Sequence, residues 1–191
     1  MRRGLVSRVL HASGLGSAEM RRPGPIVITG FMGCGKSKVA RELALRRNVA
    51  MVDLDEWITA RVGRNPAQLI TEDGESAFRE IESNALRDLL RAGEAGVIAL
   101  GGGAWIEKAN RDLIDEYSCT SIWLDTPFAI CWERIAASEE DRPLGRTREE
   151  AEARYQHRKS VYALAHLHIP VSPDQTLDDL ISTIINHRLH G

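Results

Sequence analysis

The sequence has no apolar run approaching the length needed to cross a bilayer, which excludes a transmembrane helix of ordinary length. It has no marked excess of either charge. Lys and Arg number 25 against 27 Asp and Glu, a formal net charge of −2, so the charge balance points to neither nucleic acid nor a membrane surface. Cysteine is scarce: Cys34, Cys119 and Cys131 are odd in number, lack metal-ligand spacing, and read as free thiols in a reducing, cytoplasmic compartment. The six histidines show no metal-ligand arrangement, and His157, His166 and His168 read as surface or core residues. There is no internal repeat and no convincing secretory segment, since Leu5 to Leu10 is interrupted by Ser7 and Arg8. What is present is a 191-residue chain of 43% hydrophobic content, enough for one globular domain with a real core.

The first two dozen residues stand apart. Arg2, Arg3, Arg8, Arg21 and Arg22 face a single acid, Glu19. Such acid-poor leaders can direct organellar import, but the amphipathic pattern is weak. Residues 1–24 are read as a flexible extension, with Met20 an alternative start, and 25–191 as the domain.

The richest signal is Gly30-Phe31-Met32-Gly33-Cys34-Gly35-Lys36-Ser37, which fits the phosphate-loop pattern Gly-x-x-x-x-Gly-Lys-Ser. It follows the apolar run Ile26 to Thr29 and precedes Val39, Ala40, Leu43 and Ala44 at helical spacing. Strand, glycine-rich loop and helix are the context the chemistry needs: backbone N–H groups turn inward around phosphate oxygens, and the helix start adds its positive end. Lys36 can reach the β- and γ-phosphates and the Ser37 hydroxyl can ligate Mg²⁺. Cys34 is a small residue of this loop. If exposed, it is expected to be alkylated faster than Cys119 or Cys131.

Beyond the loop, short apolar runs alternate with helical patterns. Strands are expected at 26–29, 50–53, 97–100, 119–124 and 167–171. Helices are expected at 36–47, 55–62, 75–91, 107–116, 127–138, 148–165 and 177–188. This alternation implies an α/β domain with a parallel sheet covered on both faces, whose ligands bind beyond the carboxyl ends of the strands. The segment from Ser138 to Glu150 is charged, contains Pro143 and Gly145, and reads as a mobile surface loop.

Four further patterns could carry chemistry. Asp53-Leu54-Asp55 ends the second strand, and alternation would set both carboxylates on one side: one for Mg²⁺ beside Ser37, one for an acceptor hydroxyl. The plainer reading has Asp55 capping the next helix. In Gly74-Glu75-Ser76-Ala77-Phe78-Arg79-Glu80-Ile81-Glu82, Arg79 and Glu82 are three apart and can pair. That is either an ordinary surface ion pair or a guanidinium held ready for a substrate carboxylate. Gly101-Gly102-Gly103 either lets a ligand approach the main chain or is only a permissive turn. Arg158, in Arg158-Lys159-Ser160-Val161-Tyr162, would alone read as a solvated charge. Trp57, Trp105, Trp123 and Trp132 read as core or pocket wall.

In this order the pieces resemble the shikimate kinase family: Gly-Phe-Met-Gly-x-Gly-Lys-Ser, Asp-x-Asp, Gly-Glu-x-x-Phe-Arg-x-x-Glu, Leu-Gly-Gly-Gly, an Arg-Pro-Leu lid and a late Arg-x-x-x-Tyr. The likeness runs from about Ile26 to Ile185. It implies a P-loop kinase three-layer sandwich, a five-stranded parallel sheet in the order 2-3-1-4-5, and a mobile lid. It also implies ATP and shikimate as substrates, Mg²⁺, and a monomer.

By the same resemblance, Gly33, Cys34, Gly35, Lys36, Ser37, Lys38, Arg134 and Arg142 would serve the nucleotide, with Arg134 against adenine. Ser37 and Asp53 would serve the metal. Asp55, Arg79, Glu82, Gly101, Gly102, Gly103 and Arg158 would serve shikimate, with Arg79 and Arg158 gripping its carboxylate. Lys36, Asp55 and Arg142 would be catalytic. The sequence departs from the usual pattern at Lys38, Gly145, Ser160 and His166, mostly beside the ligand-contacting positions. Two alternatives stay open: a kinase for another small hydroxy acid such as gluconate, and a nucleotide-binding protein that does not turn over.

Overall fold

The computed structural model describes residues 24–138, 143–145 and 147–188, except that nothing is described of the Arg188 side chain. The 1–24 leader lies outside this range but for its last residue, as do residues 139–142, Arg142 among them, and 146 of the expected lid.

Five strands form one parallel sheet: β1 (Ile26–Thr29), β2 (Met51–Asp53), β3 (Val97–Ala99), β4 (Thr120–Asp125) and β5 (Leu167–Pro170), in the order β2-β3-β1-β4-β5. The register sets Ile26 beside Val97 on one side and Thr120 on the other. β1 is central and buried along its whole length, as an Ile-Val-Ile-Thr run demands when both sheet faces are covered. Around it lie α1 (Lys36–Arg47), α2 (Leu54–Val62), α3 (Pro66–Asp73), α4 (Glu75–Ala92), α5 (Lys108–Glu116), α6 (Phe128–Ala136), α7 (Arg148–Tyr162) and α8 (Leu177–Arg188). A short 3₁₀ turn covers Ala104–Ile106.

Each helix is fixed by its apolar stripe. α1 buries Val39, Ala40, Leu43 and Ala44 and stops where Asn48 takes a left-handed conformation, its N–H returning to the carbonyls of Ala44 and Leu45. Side chains such as Leu43 each contribute about 1.5–3 kcal/mol by leaving water. Ahead of α8, Thr176 and Asp179 exchange backbone and side-chain hydrogen bonds at 3.1 and 3.2 Å, the reciprocal cap their spacing suggests. His166 packs against β4 by accepting the Ser121 N–H at Nδ1, 3.1 Å, while its own N–H donates to Ser121 Oγ at 3.0 Å. Its backbone and ring together satisfy a buried serine.

Three readings need correction. Helix α3 falls in a stretch, 63–74, to which no element was assigned. It starts on a reciprocal cap between Asn65 and Gln68, with Pro66 at its first position, and is anchored by buried Leu69. The helix expected over 148–165 ends at Tyr162, where the chain turns into β5. The other expected element ends either coincide with those observed or shift by one or two residues. The third correction concerns Asp53 and Asp55. β2 ends at Asp53 and α2 begins at Leu54, so strand alternation does not relate the two carboxylates. The cap is Asp53, which accepts the N–H groups of Asp55 and Glu56.

Candidate active site

A cavity of about 1050 Å³ opens at the carboxyl ends of the strands. A single small-molecule site usually occupies roughly 300–1000 Å³, so this one has room for two ligands. One end is the phosphate loop. Gly35 holds φ at 101°, a conformation that excludes side chains, and no side chain caps α1. The first-turn amides of Lys36, Ser37 and Lys38 therefore face a site that favours anions. The Lys36 ammonium lies over the loop, donating to the carbonyls of Gly30 (3.1 Å) and Phe31 (2.9 Å). Lys38 is exposed at the cavity wall. Arg134, from α6, donates to the Gly33 carbonyl at 3.1 Å, which sets a guanidinium at the loop's rim.

Cys34 differs from its expectation. Its side chain is buried under the loop at 3% exposure, and its N–H turns back to the Phe31 carbonyl at 3.2 Å. The condition for fast alkylation is not met. Cys119 and Cys131 are buried too, and burial pushes both of their thiols up to about 12.

Between the two ends, Ser37 Oγ donates to Asp53 Oδ2 at 2.6 Å. The other oxygen, Oδ1, is used by the α2 cap, so the carboxylate is locked in orientation. Asp55 then projects from the first turn of α2 into the same cavity.

The far end gathers charge. Glu82, on α4, is fully buried; Arg79, one turn earlier, donates to its Oε2 at 2.7 Å and to Glu75 Oε1 at 2.9 Å. Burial pushes the Glu82 carboxyl up to about 7 against the pull of Arg79, and nearby Asp55 adds to the rise. Glu82 Oε1 has no hydrogen-bond partner among the described residues. A β-carbon at Gly101 would stand 2.6 Å from that oxygen and 2.8 Å from Asp55 Oδ1, so both acids press on one glycine.

Arg158 is the larger surprise. Read alone as a solvated charge, it is buried at 8% exposure on α7. It donates to the Gly102 carbonyl at 3.2 Å, beside the Tyr162 hydroxyl, which donates to the same oxygen at 2.5 Å. The Trp105 indole N–H reaches the Val161 carbonyl at 2.9 Å and locks α7 to the 3₁₀ turn.

Phosphate loop, Asp53, Asp55, Arg79, Glu82, Gly101 to Gly103 and Arg158 thus line one cavity, with Pro143 and Leu144 at its edge. Sequence reasoning assigned no role to Glu75, yet it is a shared partner: besides Arg79, its Oε1 lies 3.9 Å from both Arg154 and Arg158. Its position four residues before Arg79 was the available signal.

The shikimate kinase family model matches residues 32–188. A shikimate kinase of Streptococcus thermophilus is 36% identical over 149 residues, covering 76% of this chain and 89% of that protein. The solved structure of a shikimate kinase from Acinetobacter baumannii in complex with shikimate is 26% identical with a TM-score of 0.79, covering 88% of this chain and 94% of that one. A gluconokinase from Sinorhizobium meliloti, 15% identical with a TM-score of 0.60 over 88% of this chain and 94% of its own, shares the fold alone.

Proposed function

The chain belongs to the shikimate kinase family, and from that premise we propose how its cavity phosphorylates the 3-hydroxyl of shikimate with ATP, giving shikimate 3-phosphate and ADP. The observation that carries the reading is the two-ended cavity, with anion-binding backbone at one end and, at the other, half-buried Arg79 and buried Arg158 beside a carboxylate. Residues 25–191 form the kinase domain in this reading.

The loop amides and Lys36 hold the phosphates. Arg134 borders the nucleotide. Arg142, in the Arg-Pro-Leu run, adds positive charge to the transferring phosphoryl. Arg79 and Arg158 present planar N–H forks to the shikimate carboxylate, which fixes the ring's direction and directs a hydroxyl toward Asp55. Asp55 accepts that hydroxyl's hydrogen bond and takes up the proton as the O–P bond forms and the bond from the γ-phosphorus to the bridging oxygen breaks. The amides of Gly101 to Gly103 complete the wall.

Ser37 and Asp53 offer hard oxygen donors 2.6 Å apart, a pair that suits a Mg²⁺ whose remaining positions are water and phosphate oxygens. When bound, that ion neutralises phosphate charge.

The alternative of a non-catalytic binder is disfavoured because Lys36 and Asp55 line one cavity, a pairing that binding alone does not require. ADP release should be measured with shikimate and with gluconate as acceptors. Release with shikimate alone is expected. Release with gluconate alone, or at one rate regardless of acceptor, would overturn the reading.

A further inference from the structure

The acceptor end presents a charge problem. Among the described residues, Arg79 and Arg158 are the cations lining this end of the cavity, Lys36, Lys38 and Arg134 lying at the phosphate-loop end, and each of the two already has a carboxylate near it. Arg79 is bonded to Glu82 and Glu75, and Arg158 lies 3.9 Å from Glu75. Asp55 adds a third acid beside Glu82. Two guanidinia facing Glu75, Asp55 and a partly protonated Glu82 would give an incoming carboxylate little net attraction, however well their forks are shaped.

Arg154 changes that balance. It stands one helical turn before Arg158 on α7, on the same face, and its NH1 lies 3.9 Å from the same Glu75 Oε1. It does not line the cavity. At that distance it contributes charge rather than a fitted hydrogen bond. Arg154 and Arg158 are close enough to repel, and Glu75 between them offsets that repulsion while holding α7 against α4.

We propose that Arg154 is a positioning residue for the acceptor carboxylate: it neutralises Glu75, so that Arg79 and Arg158 keep positive charge to spend on the substrate. The inference rests on the shikimate kinase reading above. It assigns Arg154 no contact with substrate and no part in the transfer step. The effect belongs in shikimate binding and not in turnover.

The test is steady-state kinetics on the full chain with Arg154→Met, Arg154→Lys and the double variant Arg154→Met/Glu75→Gln, with thermal melts alongside to show folding. Arg154→Met should raise KM for shikimate roughly three- to fivefold, the scale of one partly exposed ion pair, while kcat and KM for ATP stay put. Arg154→Lys should behave as the parent, because only charge is needed. Glu75→Gln in the Met background should restore much of the lost affinity by removing the carboxylate that Arg154 offsets. A folded Arg154→Met with the parent's KM would overturn the inference alone. So would a Lys variant as weak as Met that Glu75→Gln does not rescue, since that pattern marks packing. A parent that does not phosphorylate shikimate would overturn the functional reading itself, and this inference with it.

Discussion

Gly103 lies flat beneath Arg79: a β-carbon there would come within 2.2 Å of the guanidinium NH2 and 2.3 Å of its carbon. The third glycine of the triplet is therefore the floor on which the Arg79 guanidinium rests. Its φ of −105° is open to any residue, so the requirement is for space and not for conformation.

Gly103→Ala should consequently leave a folded protein whose Arg79 is pushed off its bonds to Glu82 and Glu75. A charged hydrogen bond contributes roughly 1.5–3 kcal/mol, so KM for shikimate should rise about ten- to a hundredfold. KM for ATP should hardly move. An unchanged shikimate KM would show that Arg79 does not set acceptor affinity.

Glu82 makes a prediction about pH. Its carboxyl titrates near 7 in the folded protein and near 4.3 in an unfolded chain, so between those values the folded state carries the extra proton. Stability from this group is full below about pH 4.3 and is lost as pH rises through 7, by roughly 3 kcal/mol in all. Urea unfolding of the parent and of Glu82→Gln from pH 4.5 to 8 isolates it, because other titrating groups are common to both. The stability difference should shift in favour of the variant as pH rises. Parallel profiles would refute the buried, proton-holding carboxyl.

Among the described residues, Lys36 hydrogen-bonds to loop carbonyls and to the Cys34 sulfur, so no core packing rests on its ammonium. Lys36→Ala should fold with a near-normal melting temperature and lose about a hundred- to a thousandfold in kcat. Near-parental ADP production by the folded variant would remove the phosphate loop from the mechanism.

With Cys34, Cys119 and Cys131 all buried, the native protein should react slowly with iodoacetamide at every thiol and rapidly at all three once unfolded. Mass mapping after limited alkylation reads this directly. Fast labelling of Cys34 in the native protein would mean that the loop opens more than its packing indicates.

What was legible in the sequence was local. The phosphate loop announces itself because strand, glycines and helix are contiguous, and the Arg79–Glu82 pair because three residues on a helix are neighbours. Arg158 was opaque because its burial depends on the Gly102 carbonyl and Tyr162, and that carbonyl lies 56 positions away in the chain. Asp55 reaches the cavity as expected but by another route: period-two alternation was carried past the point where the backbone had turned helical. Helix α3 was missed although Asn65, Pro66 and Gln68 spell its start, because eight residues with one fully buried anchor make little periodic signal.

Asp53 has a consequence of another kind. One oxygen faces Ser37 and the other starts the helix that carries Asp55, so the spacing between the nucleotide end and the acceptor end is a property of three consecutive residues. It behaves as a fixed gauge length. A single residue inserted between Asp53 and Asp55 would rotate the acceptor acid by about 100° around α2 while leaving the loop, both arginines and the sheet in place. Under the proposed mechanism, both substrates would then be held with the hydroxyl presented to the wrong side. The tolerance for reaction would be set by counting residues along the backbone, which tighter binding at either end would not restore.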